Sequence, residues 1–69
     1  MTKEEVLTEV TTLGTASVQE IDSGATYETM EDADAQMDTI RAHLAQLVID
    51  GDVTYVAPAS GEVEKWQAV

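Results

Sequence analysis

Apolar residues recur along the chain in three helical runs, and the period changes after Gly51. Val6, Leu7, Val10 and Leu13 fall three and four residues apart, the spacing that lines one helix face. Thr2-Lys3-Glu4-Glu5 has the form of a capping box and Gly14 is a stop signal, which predicts a helix over 3–13. Ser17-Val18-Gln19-Glu20 repeats the box, with Val18 and Ile21 as a short apolar face and Gly24 as its end. Residues 24–31 carry no period and read as a loop, which Tyr27 or Met30 would pin to the core. The third run is the strongest: Met37, Ile40, Leu44, Leu47 and Val48 mark one face of a long helix. Asp32 and Asp34 suit its N-terminus, where the helix dipole favours negative charge, and Asp50-Gly51 closes it. Asp52–Val56 is β-branched and aromatic, hence strand; Ala57–Gly61 is turn material; Glu62–Val69, with Val63 and Trp66, returns as a second strand. Such a hairpin must pack on the helices to persist, and Trp66 has the largest surface to bury there.

Length and composition then bound the chain. Its 69 residues hold one domain, 1–69, with a small core and marginal stability. No cysteine is present, so neither a disulfide nor a thiolate metal site is open to it. Fourteen acidic residues face three basic ones, Lys3, Arg41 and Lys65, for a net charge of −11. With 43% hydrophobic residues in periodic patterns, a fold is expected despite that charge. Few cations, many carboxylates and small apolar side chains resemble the proteins of salt-loving archaea or their viruses. At molar salt the Debye length is about 3 Å, so carboxylate repulsion costs little there. An ordinary acidic protein, such as a phage product, is the alternative. No apolar run approaches the roughly 18 residues a membrane span needs, and Met1–Glu5 lacks the layout of a signal peptide, so the expectation is a cytoplasmic protein with no membrane contact.

The order of helix, short helix, long helix and hairpin carries a resemblance. Gly14-Thr15-Ala16-Ser17-Val18-Gln19-Glu20-Ile21 resembles the stretch that opens helix 2 of winged helix-turn-helix regulators. Asp38 through Val53 is similar to their recognition helix and first wing strand, and Gly61-Glu62 with Trp66 fits the far side of a wing. The resemblance covers nearly the whole chain. It implies an α+β fold, a three-helix winged helix-turn-helix with a C-terminal β-hairpin wing, and a DNA-binding transcription regulator. Carried onto this chain, it places Gln36, Asp38, Thr39, Arg41, Ala42 and Ala45 near the groove and Lys65 near a backbone contact. Two departures stand out. Residues 24–33 exceed the usual turn between helices 2 and 3, so either the recognition helix starts early or the turn carries an insertion. The surface is also acidic where the family is usually basic.

The remaining chemistry is sparse. His43 has no second histidine or cysteine at ligand spacing and reads as a partly exposed helix residue. Glu4/Glu5, Asp32/Asp34 and Asp50/Asp52 have no partner base or glycine-rich phosphate loop, and no nucleophile has a base and an orienter. An enzyme, a metal site and a cofactor are not expected. Arg41 is either a reader of guanine or an ordinary helix cation paired with Asp38 or a nearby loop acid. Lys65 reads first as a solubilising strand charge, and Lys3 caps nothing obvious. Three functions follow: a DNA-binding regulator, expected as a homodimer through Val6, Ile49 or Tyr27; a protein-interaction module docking a basic partner; and an acidic DNA mimic.

Overall fold

Two local signals start the first two helices. In the computed structural model, which describes residues 1–22 and 27–69, the hydroxyl of Thr2 accepts the Glu5 N–H while the Glu5 carboxylate accepts the Thr2 N–H. Ser17 and Glu20 exchange the same two bonds. Each box satisfies donors that a helix end leaves open. Helix α1 spans Lys3–Leu13 and α2 spans Val18–Ile21, with Asp22 as the C-cap of α2. Gly24, expected to end α2, lies outside the described residues.

Helix α3 spans Met30–Asp50. It begins inside the segment expected to be loop: Met30 and Glu31 are helical, and Thr29 caps the helix by accepting the Asp32 N–H at 3.1 Å. The long connection after α2 is therefore partly helix, and Met30, 77% exposed, does not pin it to the core. At the other end Gly51 takes φ 84° and its N–H reaches back to the carbonyls of Leu47 and Val48. A Cβ there would meet nothing within 4 Å, so the left-handed backbone and not space asks for glycine.

Strand β1 is Thr15–Ala16, β2 is Val53–Val56 and β3 is Lys65–Ala68. Among the described residues, three helices and an antiparallel sheet of order β1-β3-β2 make the fold α+β. The hairpin registers Val53 against Ala68 and Tyr55 against Trp66. The returning strand is shorter than expected, because Glu62–Glu64 and Val69 are outside it. β1 was not foreseen: Thr15 and Ala16, read as the approach to α2, pair with Gln67 and Trp66.

The core lies between the helices and the inner face of this sheet. Val6, Val10, Ala16, Val18, Ile21, Ile40, Leu44, Leu47, Val53 and Trp66 are buried together, with Leu7, Met37 and Ala68 against them. Trp66 anchors the hairpin and meets Tyr55 edge-on at 5.5 Å, a favourable aromatic geometry. The α3 face is narrower than the apolar pattern suggests. Val48 is exposed, since Leu47 beside it already points inward and adjacent helix positions diverge. Leu13 and Val63 are also exposed, one at the end of α1 and the other outside β3. Val6, a candidate for a dimer interface, is fully buried under α1 and is not available to a partner, whereas Ile49 is 77% exposed.

Candidate functional site

The outward positions of α3 follow from its inward ones. Met37, Ile40, Leu44 and Leu47 turn toward the core, so Asp38, Arg41, Ala42 and Ala45, also three and four residues apart, form an exposed stripe away from it. Gln36 and Thr39 leave this stripe. They line an open cleft of about 390 Å³ with Tyr27, Glu28, Asp32 and Ala35. The residues expected to form one surface therefore lie on two flanks of one helix. Tyr27 is half-buried at the cleft, and its hydroxyl donates to the Asp22 carboxylate. That bond, with burial and the Asp22 charge, pushes the Tyr27 pKa up to about 12.

Arg41 does not pair with Asp38. Its Nε lies 3.6 Å from Oε1 of Glu64, the residue just before β3. The other oxygen of Glu64 accepts the Tyr55 hydroxyl at 3.0 Å, a bond that raises the Tyr55 pKa. Tyr55 on β2, Glu64 and Arg41 on α3 thus form a chain that ties the hairpin to the exposed stripe.

Lys65 reaches a different helix. Its Nζ lies 4.0 Å from Oε1 of Glu20 on α2, the oxygen that also accepts the Ser17 N–H in the capping box. Glu64 and Lys65 are neighbours in sequence but contact α3 and α2 respectively, so Lys65 and Arg41 are held by separate partners. Lys3 is tied more closely: it donates to Asp50 at 3.1 Å, joining the first turn of α1 to the last residue of α3. Gln46 donates to the other Asp50 oxygen at 2.9 Å, and these bonds hold the Asp50 carboxyl below its usual range, Gln46 contributing most. All three basic side chains thus face a carboxylate, and each pair is solvent-accessible.

His43 is half-buried on α3, and its Nε2–H donates to the Met1 carbonyl at 3.0 Å. Among the described residues, no group of three histidine, aspartate or glutamate side chains is placed to hold a metal ion. No helix among them is long and apolar enough to cross a membrane.

The exposed stripe was legible as a helix face. Glu64 as the partner of Arg41 was covered only by the general expectation of a nearby loop acid. No local signal narrowed it, because Glu64 lies just outside β3 and meets Arg41 only through the way the hairpin docks. No protein-family model matches the chain, and no curated protein or solved structure shows significant similarity to it.

Proposed function

We propose that the chain is a winged helix-turn-helix DNA-binding domain of a transcription regulator that works in concentrated salt. The observation that carries this reading is the exposed stripe Asp38-Arg41-Ala42-Ala45 on α3, free of the core and flanked by a hairpin joined to it through Glu64. In this reading α3 enters the major groove, the β2–β3 hairpin is the wing, and Arg41 supplies the contact to a guanine edge. Lys65 approaches the DNA backbone, while Gln36 and Thr39 sit at the cleft side of the helix. A dimer would use exposed Ile49 or half-buried Tyr27.

The test is an amide NMR titration with mixed-sequence duplex DNA at low and at molar KCl. Shifts confined to residues 36–46 and the hairpin are the expected result. A folded spectrum that stays silent at both salts overturns the reading.

A second reading has its own support. DNA affinity comes largely from cations that neutralise phosphates, and here each of the three cations already faces a carboxylate. That arrangement favours an acidic interaction module that docks a basic protein partner, and it is where a silent titration would point. The salt adaptation is tested separately. With a net charge of −11, added KCl should raise the urea midpoint by screening self-repulsion, and a flat or falling midpoint would remove the high-salt part of the proposal.

A further inference from the structure

We propose that Glu64 and Glu20 are built-in competitors for phosphate: they hold Arg41 and Lys65 in reserve, and rising salt releases both cations for DNA. The proposal rests on the DNA-binding reading above. It starts from a difference among the three ion pairs. Lys3 and Asp50, joining the ends of α1 and α3, meet at 3.1 Å in a direct hydrogen bond. Arg41–Glu64 and Lys65–Glu20, at 3.6 and 4.0 Å, are longer than a direct hydrogen bond. These two loose pairs involve the two cations assigned to the DNA surface.

In both loose pairs the carboxylate holds a second hydrogen bond, and the cation holds none among the described residues. Glu64 is anchored by the Tyr55 hydroxyl and Glu20 by the Ser17 N–H. Both members of each pair are open to solvent, Arg41 at 50% with Glu64 at 37% and Lys65 at 43% with Glu20 at 47%. Each cation can therefore swing from its carboxylate to a phosphate or base while the carboxylate keeps its other hydrogen bond.

The salt dependence follows from what a phosphate contact must displace. An ordinary basic domain releases condensed cations from DNA without giving up internal partners, so its affinity falls steeply with salt. Here each contact to phosphate must first break an internal pair, and the cost of breaking it falls as salt screens that pair. Meanwhile the repulsion between a −11 protein and DNA fades as the Debye length contracts to about 3 Å near 1 M salt. Affinity should be flat or rising with KCl, where a basic domain would lose it.

The experiment measures binding to a mixed-sequence duplex by fluorescence anisotropy, from about 0.1 to about 1 M KCl. It compares the wild type with the double variant Glu64→Gln/Glu20→Gln. Both glutamines keep the anchoring bonds, since an amide oxygen can accept from Tyr55 and a capping box tolerates Gln. A second double variant, Glu4→Gln/Glu9→Gln on α1, has the same net charge and leaves both pairs intact. The first variant should bind about twofold to thirtyfold tighter than wild type at low salt, the range two exposed pairs can supply, and should lose that advantage near molar KCl. The α1 variant should track the wild type in slope. Equal tightening in both variants would overturn the proposal, because net charge alone would then explain it. So would binding by all three proteins with parallel, steeply falling slopes, which leaves the DNA reading standing. Absence of binding by every folded variant at every salt would overturn the DNA reading and this proposal with it.

Discussion

Met30–Thr39 and Ile40–Asp50 belong to one continuous helix, yet different forces hold them. The C-terminal half buries Ile40, Leu44 and Leu47 completely, in a core shared with residues of α1, α2 and β2. The N-terminal half has no buried residue, and only Met37 reaches the core, in part. It is helical for local reasons. Thr29 caps it, Glu31 and Asp32 sit in the first turn where the dipole favours them, and Ala33, Ala35 and Gln36 are compatible with helix. Packing thus fixes one half of α3 and local preference the other. The exposed stripe straddles the junction, with Asp38 on the weakly held side and Arg41, Ala42 and Ala45 on the packed side.

The largest expected effect tests the packed half. Leu44→Ala should cost roughly 2–5 kcal/mol, because it empties the centre of a core that holds a single aromatic ring. Urea unfolding should show one cooperative transition at a much lower midpoint. An unchanged midpoint would mean that the α3 face is not what holds the helix to the sheet.

The exposed half should respond differently. Ala35→Gly removes about 1 kcal/mol of helix preference at a position with no core contact. If local forces sustain Met30–Thr39, amide exchange should accelerate across those residues while the urea midpoint moves by less than the full amount. A full, uniform loss with exchange unchanged in pattern would show that the halves fold as one unit and would dissolve the contrast.

The same division explains what could be read from the sequence. Both capping boxes were legible because their partners stand three residues apart, Thr2 with Glu5 and Ser17 with Glu20. The C-terminal half of α3 was legible because burial imprints a period on Ile40, Leu44 and Leu47. The start of α3 was legible to within about two residues, from Asp32 near its N-terminus, but not to the residue, since an exposed helix leaves no apolar period. Strand β1 escaped for a related reason. Two residues cannot show alternation, and Thr15 and Ala16 are strand only because Gln67 and Trp66 arrive from the far end of the chain. At the candidate site, the stripe on α3 came from helix geometry. The pairing of its arginine came from how the hairpin docks, which no local pattern records.

The smallest expected effect sharpens the comparison at the end of α3. Asp50 is the last residue of the helix, where the dipole disfavours a negative charge. Gln46 and Lys3 offset this by donating to its two oxygens, and its carboxyl is held below the ordinary range. A carboxyl depressed in the folded state stabilises the fold above its unfolded pKa, and that contribution is lost as pH falls through the folded value. The stability difference between wild type and Asp50→Asn should therefore stay constant above the ordinary aspartate range and shrink below it. A carboxyl NMR titration separates the two donors. Gln46→Ala and Lys3→Met should each return the Asp50 pKa toward its ordinary value, Gln46 acting through its hydrogen bond and Lys3 through a hydrogen bond and its charge. An Asp50 pKa that does not move in one of the two variants would mean that the residue removed does not help to hold the charge at this end of the helix.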